Sequence, residues 1–379
     1  MKVAVILTAR PSWAKLEPVC RALKRRGDVE LQIVACASAL LERYGNVSRV
    51  VRAQGYEVAA ECWSTYEGAN LITSAKETGA LLTELAARLH DLRSDVVVVC
   101  ADRHEVLAAA QAAAYRHVAL VHLQGGERTG SIDDRVRDSI TQLADVHCVA
   151  TQCAQLRVYS LTSGSPHVYL TGCPSIDVAK EARDGPPVTL DELGGTGPDV
   201  DLNGPFVVVL QHPVTNEMAD AGAQMTMTLE ALSKVPAARI VFWPGEDAGA
   251  DAMSKAIRVW IADHPSETWH TVRNLPPARF VRLLTQAGCL VGNSSAGIRE
   301  CSYLGVPVVN IGTRQQGRAR ALNVVDVPYD AERIWAATCE QIAHGPYRSS
   351  TLYGHGDAGE KIAEVICGIW KERVMCSSS

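Results

Sequence analysis

Along the chain, short unbroken apolar runs alternate with stretches whose apolar residues recur every three or four positions. Lys2–Ala9 (KVAVILTA) reads as a buried strand, Pro18–Arg26 as the helix after it, and Glu30–Cys36 as a second strand. The pattern continues with helix Thr73–Leu92, strand Asp95–Cys100, helix Val106–Tyr115 and strand Val118–His122. Helix Asp133–Leu143, strand Val146–Ala150, helix Ala154–Leu161 and strand Val168–Leu170 follow. Apolar strands in strict alternation with helices imply a parallel sheet covered on both faces. Between Asp184 and Pro205 the periodicity stops, and the abundance of Gly, Pro and Asp reads as an interdomain linker.

Beyond it the alternation resumes: strand Phe206–Leu210, helix Gln224–Val235, strand Arg239–Phe242, helix Ala250–His264, strand Thr268–Val272 and helix Pro277–Ala287. Strand Cys289–Val291, helix Gly297–Leu304 and strand Val308–Asn310 complete a second unit of similar size. The expectation is an α/β chain of two Rossmann-like domains, 1–183 and 205–356. The amphipathic helix Gly359–Arg373, within 357–379, is a candidate to pack back on the first domain. No G-x-G-x-x-G follows the first strand, so the dinucleotide fingerprint is absent.

A length of 379 residues suits two domains of ordinary size. A net charge of −5 gives no reason to expect nucleic acid or an anionic membrane as partner. No segment approaches the roughly 18–20 apolar residues of a membrane span. The apolar run at the start leads straight into Arg10, as a first strand does and a signal peptide does not. The 12 cysteines form no CxxC, and Cys36, Cys100, Cys148 and Cys289 sit in apolar runs, as buried thiols in a reducing cytoplasm would. The 11 histidines show no metal-ligand spacing, so no metal is expected, and with the dinucleotide fingerprint missing no cofactor is expected either.

The chemistry gathers where strands end. Val121–Arg137 (VHLQGGERTGSIDDRVR) leaves a strand through His122 and Gln124, turns at Gly125-Gly126, and brings Glu127, Asp133, Asp134 and, a helical turn later, Arg137. An isolated Asp-Asp serves equally well as a helix N-cap. However, VVVVCADRHE just upstream delivers Asp102, Arg103 and Glu105 to a second strand end. Convergent carboxylates and arginines at the carboxyl edge of an α/β sheet look like a site. In the second half, His212 follows one strand, Glu246-Asp247 the next, and GNSSAGIRE opens a helix with Ser294, Ser295 and Glu300. Hydroxyls and N–H groups at such a turn suit a phosphate or diphosphate, although a plain Ser N-cap has the same sequence. Arg314, in GTRQQGR, adds charge at a further strand end. A sugar nucleotide held in a cleft between two domains fits this division, with the nucleotide on the second half.

These blocks resemble the hydrolysing UDP-N-acetylglucosamine 2-epimerases, the bacterial sialic-acid-pathway enzymes and the epimerase half of the animal bifunctional enzyme. The likeness runs from about Val3 to Gly356 and includes YGN at Tyr44–Asn46, ADRHE at Ala101–Glu105, and the His122–His147 block with its IDD-x-x-R element. TGCPSID, LQHPVT, GNSSAGIRE and GTRQQGR follow in order. The resemblance implies two Rossmann-like domains around a central cleft (the glycosyltransferase-B arrangement) and no NAD. It implies elimination of UDP to give 2-acetamidoglucal, then addition of water with inversion at carbon 2, releasing N-acetylmannosamine. By position, Asp102 and Asp133 are the catalytic carboxylates, supported by Asp134 and Arg137. Arg10, Arg103, His212, Ser294, Ser295, Glu300 and Arg314 match nucleotide-binding positions, with Asp247 joining them near the base or ribose.

The departures are as informative. The family's usual catalytic glutamate is Gln124 here, which neither takes nor gives a proton at useful pH. Glu127, three residues on, is a candidate to compensate, although the family has an acid there as well. The first-strand loop reads ARPSWAK, with Ser12 and Ala14 where the animal enzymes carry Asp and Ser. Two alternatives stand beside the hydrolysing enzyme: a non-hydrolysing epimerase, whose central HxEAGxR is not matched here, and a UDP-sugar-binding relative without the usual turnover. A homodimer or homotetramer is the expected assembly.

Overall fold

The computed structural model describes the whole chain apart from Ala69, Ser131, Glu246, Ser378 and Ser379, and without side chains over 372–377. Glu246 of the acidic pair therefore lies outside the described residues. The first half contains β1 (Lys2–Leu7), α1 (Arg10–Lys24), β2 (Glu30–Cys36), α2 (Val47–Ala53), β3 (Val58–Cys62) and α3 (Leu71–Leu92). Then come β4 (Val96–Cys100), α4 (His104–Tyr115), β5 (Ala119–Leu123), α5 (Asp133–Leu143), β6 (Val146–Val149), α6 (Gln152–Leu161), β7 (Val168–Leu170) and α7 (Ser175–Ala182). The second half contains α8 (Leu190–Leu193), β8 (Phe206–Leu210), α9 (Ala221–Ser233), β9 (Ala238–Phe242), α10 (Ala250–Asp263), β10 (Trp269–Val272) and α11 (Pro277–Gln286). It ends with β11 (Cys289–Gly292), α12 (Ser295–Ile298), α13 (Glu300–Leu304), β12 (Val308–Ile311), β13 (Val324–Val327), α14 (Ala331–His344) and α15 (Ala358–Ser377).

Both sheets are parallel, and both carry the doubly wound order. The first runs β3-β2-β1-β4-β5-β6-β7 and the second β10-β9-β8-β11-β12-β13. Each strand feeds two cores because its side chains alternate between faces. Val3, Val5, Leu7, Val96 and Val98 pack with Ile362 and Ile366 of α15. Ala4, Ile6, Val97 and Val99 face Leu81, Leu85 and Leu89 of α3. Val207 and Val209 divide from Phe206 and Val208 in the same way in the second sheet. The strand order reverses between β1 and β4, and again between β8 and β11. A doubly wound sheet binds its ligands at such a point. Arg10, Asp102 and Arg103 leave the first reversal; His212, Ser294 and Ser295 leave the second.

Contacts divide the chain into one unit of Met1–Glu127, Asp133–Asp177 and Gly354–Ser379, and another of Arg128–Ile132 and Val178–Tyr353. The Asp184–Pro205 stretch is no free linker. Val188, Leu193 and Val200 bury in the second unit's core, and Thr189 and Glu192 form a capping box on α8. Thr196 bridges Thr271 of β10, where Gly195 leaves room that a Cβ, 2.3 Å from the Thr271 carbonyl oxygen, would fill. In the first unit α15 lies on α1. Asp177 accepts the N–H of Ala358 at 3.0 Å and of Gly359 at 2.7 Å, and a Cβ on Gly359 would sit 2.6 Å from the Pro18 carbonyl oxygen.

Helix α1 starts at Arg10, eight residues before the helix read from sequence. Pro11 is comfortable in the first turn, and the burial of Trp13, Leu16, Val19 and Leu23 outweighs the backbone bond lost at Pro18. Elements α2, β3, α7, α8, β13 and α14 lie outside those expected from the apolar pattern, and the helix expected over Gly297–Leu304 breaks at Arg299 (φ −103°, ψ −74°) into α12 and α13. Among the described residues no helix is long and apolar enough to cross a membrane.

Candidate active site

Strands β4 and β5 are neighbours, with Val99 opposite His122 and Cys100 opposite Leu123. His122 is fully buried, and its ring spans the gap between the two strand ends. Nε2 lies 3.0 Å from the Ala101 carbonyl oxygen and Nδ1 3.2 Å from the Thr141 hydroxyl. Burial brings its pKa down to about 4, so the ring is neutral: Nε2–H donates to Ala101 and Nδ1 accepts from Thr141. That bond holds Ala101 in the left-handed region (φ 71°), where the chain leaves the sheet toward Asp102. His122 is therefore a structural brace for the loop that carries the acid.

Arg137 organises the carboxylates. It is 1 % exposed and ion-paired with Asp102, while Nη1 donates to Asp134 Oδ1 at 2.8 Å and to the Glu127 carbonyl at 2.6 Å. One guanidinium thus ties the end of β4, the glycine turn after β5 and the first turn of α5. Asp102 and Asp134 keep 17 % and 16 % of their side chains exposed, so both remain open to a ligand. Asp133 heads α5, half-buried, where the helix dipole favours a negative charge. Gly126 (φ 78°) is obligatory in the turn, because a Cβ there would lie 2.3 Å from the Ala154 carbonyl oxygen.

Gln124 belongs to a neighbouring cluster. It is 1 % exposed and left-handed (φ 64°), and its Nε2 donates to Cys173 Sγ at 3.0 Å, with Ser175 Oγ a further 3.0 Å beyond the sulfur. Its Oε1 is buried with no hydrogen-bond partner among the described residues. Glu127 is 6 % exposed. Arg10, at the start of α1, is mostly buried, which lowers its pKa to about 10. Arg103 lies against Glu105, Nε to Oε2 at 3.1 Å.

In the second unit the organiser is Asn293, which is not among the residues expected at the site. Its buried carboxamide accepts the His212 N–H at 2.7 Å and donates to the His212 carbonyl at 2.8 Å. Its own carbonyl accepts from Gln315 Nε2 at 2.8 Å and Arg314 Nη1 at 3.3 Å. His212, Ser294 and Arg314 are thereby assembled around one residue. Arg314 also lies 3.8 Å from Asp247. The signal for Asn293 was the glycine before it: Gly292 (φ 141°) leaves 2.2 Å between an added Cβ and the Leu210 carbonyl oxygen, so β8 and β11 meet there.

Ser294 caps α12 by accepting the Ala296 N–H at 3.3 Å, which leaves its hydroxyl proton to give. Ser295 opens that helix, and Gly297 lets it lie directly on Leu290 and Val308, 2.9 Å from where a Cβ would be. Glu300 opens α13, with Oε2 buried and lacking a hydrogen-bond partner among the described residues. The arrangement offers hydroxyl and arginine donors for an anion and a carboxylate acceptor for hydroxyls.

Comparison with known proteins finds relatives along nearly the whole chain. The chain is 27 % identical to a hydrolysing UDP-N,N'-diacetylbacillosamine 2-epimerase of Legionella pneumophila, over 96 % of this chain and 95 % of that one. It is 28 % identical to a UDP-N-acetylglucosamine 2-epimerase of Neisseria meningitidis, over 96 % and 94 %. Among solved structures, a Neisseria meningitidis UDP-GlcNAc 2-epimerase bound to UDP-GlcNAc superposes with a TM-score of 0.79 at 18 % identity, covering 97 % of this chain and all of that one. Staphylococcus aureus MnaA with UDP gives 0.81 at 17 % identity, covering 98 % and 97 %. The family model for UDP-N-acetylglucosamine 2-epimerase matches residues 21–367, and the chain belongs to that family.

Proposed function

We propose that this chain is a hydrolysing 2-epimerase that converts UDP-N-acetylglucosamine, or a close relative, and water to N-acetylmannosamine and UDP. The carrying observation is the buried Arg137 bridging Asp102 and Asp134 at adjoining strand ends, with Asp133 beside them. Epimerisation at carbon 2 requires that its proton be removed from one face and a proton delivered to the other, which calls for separately placed carboxyl groups. In the proposed sequence, loss of the carbon-2 proton accompanies breakage of the carbon-1–oxygen bond, and UDP leaves with the electron pair. The glycal then takes hydroxide from water at carbon 1 and a proton at carbon 2 on the opposite face.

Asp102 and Asp133 act as the proton carriers in this reading, and Arg137 fixes the first of them. Arg10, Arg103, His212, Ser294, Ser295, Glu300 and Arg314 hold the nucleotide, with Asp247 near the ribose or base. The relatives from Legionella pneumophila and Campylobacter jejuni are named for a diacetylated substrate, which motivates testing UDP-N,N'-diacetylbacillosamine beside UDP-GlcNAc.

The experiment is incubation with each nucleotide sugar, following UDP and sugar by NMR. Free UDP with the 2-epimeric free sugar is the expected result. A UDP-linked epimer without free UDP would make the enzyme non-hydrolysing; binding without conversion would make it a binding protein.

A further inference from the structure

Where β4 ends, the chain carries three ionisable residues in a row, Arg103, His104 and Glu105, and a fourth, Glu77, reaches them from α3. Glu105 is 1 % exposed. Its carboxylate receives Arg103 on one side, Nε at 3.1 Å and Nη2 at 3.0 Å, and His104 Nδ1 on the other at 3.4 Å. The opposite ring nitrogen, Nε2, lies 3.1 Å from Glu77 Oε2. A carboxylate only accepts, and a neutral imidazole has one donor and one acceptor. A ring facing carboxylate oxygens at both nitrogens is therefore satisfied only as imidazolium. The order Glu77, His104, Glu105, Arg103 is a chain of alternating charge, running from α3 to the residue beside Asp102.

Burial opposes charge on both His104 and Glu105, and in each case the neighbours outweigh it. Glu105 and Glu77 hold the imidazole above its ordinary pKa, against a smaller opposing effect of Arg103. Arg103 and His104 hold the Glu105 carboxyl below its own. The Cys36 thiol of β2 also faces Glu105, and burial pushes it well above its usual range, so it brings no charge.

We propose that Glu77, His104 and Glu105 are positioning residues that fix the Arg103 guanidinium for the nucleotide, so that nucleotide affinity depends on His104 carrying its proton. The proposal rests on the reading of Arg103 as a nucleotide-binding residue. An arginine unsupported at its guanidinium samples many rotamers, and ordering it on binding costs affinity. With the relay intact that cost is met in the folded protein. Loss of the His104 proton breaks one of its two carboxylate contacts and releases Glu77 or Glu105.

Calorimetric titration of the full chain with UDP alone tests this without requiring turnover, over pH 6–9, while NMR follows the His104 ring. Arg103→Ala should weaken UDP binding about tenfold or more, as loss of a charge-assisted bond does. Glu77→Gln should weaken it several-fold, lower the pH at which His104 titrates, and shift the loss of affinity to that lower pH. The ionisation of UDP itself is common to every variant and cancels in the comparison. Glu105→Gln should act in the same direction; Glu77, at the outer end of the relay, keeps the test usable if the buried variant fails to fold. Unchanged affinity and pH profile in Glu77→Gln, with Arg103→Ala impaired, would overturn the relay and leave the reading of Arg103 standing. Unchanged affinity in Arg103→Ala, or no UDP binding by the wild type, would overturn the nucleotide reading and the relay with it.

Discussion

The carboxamide of Asn293 meets His212 twice, accepting its N–H at 2.7 Å and donating to its carbonyl at 2.8 Å, across 81 positions of sequence. No other side chain of similar size offers a donor and an acceptor in that fork. Asn293→Ala removes both bonds and strands partly buried backbone groups, a loss of about 2–4 kcal/mol. Denaturant unfolding should record that loss, and UDP affinity should fall with it. Wild-type stability in this variant would mean the clasp contributes nothing to holding the strand ends together.

Asp102 should matter to turnover far more than to binding. Asp102→Asn keeps the shape and the chance of a hydrogen bond to Arg137 while deleting proton transfer, which commonly lowers rate by ~10²–10⁴. Asp133→Asn should behave alike. UDP affinity by calorimetry should change little in either. Near wild-type turnover in one of them would remove that residue from the proton pathway.

Ser294 and Ser295 carry the corresponding expectation for binding. Replacing both by Ala removes two hydroxyl donors to a charged group, about 1.5–3 kcal/mol each where both bond phosphate. The Ser294 replacement also removes the cap on Ala296, so melting should be measured in parallel to separate the two effects. Unchanged UDP affinity in the double variant would move the phosphate elsewhere.

What the sequence disclosed was what packing period controls. The valine runs at Val96–Val99 and Val207–Val209 are buried on both faces and could be little else but parallel strands. Strand β13 was hidden because Val325 and Asp326 are exposed, which leaves no apolar run. The first half of α1 was hidden by two prolines that tertiary burial overrides. The carboxylates and Arg137 were visible from their spacing, yet the bond from Arg137 to the Glu127 carbonyl depends on how Gly125 and Gly126 turn the chain. Asn293 acts through the backbone of a residue brought near only by sheet order, and no local pattern announces that.

His122 makes the fold acid-sensitive. Its folded pKa, about 4, lies below the ordinary value of 6.5 because burial disfavours the imidazolium. The unfolded chain therefore takes up this proton first as pH falls. Stability is fully present above about pH 6.5 and drains between there and about 4, by on the order of 3 kcal/mol for this group. Buried His147 shifts in the same direction. Urea midpoints at pH 7.5 and 4.5 should differ accordingly. A His122 ring that titrates near 6.5 by NMR would contradict the brace to Ala101.

Gln124 poses the sharpest test of mechanism. It stands 1 % exposed at the end of β5, its Nε2 on Cys173 and its Oε1 buried without a hydrogen-bond partner among the described residues. A carboxamide can accept or donate a hydrogen bond there, but it cannot carry a proton between carbon 2 and water. The proton work must then fall to Asp102, Asp133 or Glu127, and turnover should be slower than with a carboxylic acid in place. Gln124→Glu would set an acid in the same buried pocket, where desolvation raises its pKa toward the range useful for catalysis. That variant should turn over at least as fast as the wild type. In heavy water the product of either protein should carry deuterium at carbon 2, since the proton removed there exchanges with solvent before another is returned. Product that retains its original proton at carbon 2 would rule out elimination and addition, and leave only direct hydrolysis or transfer.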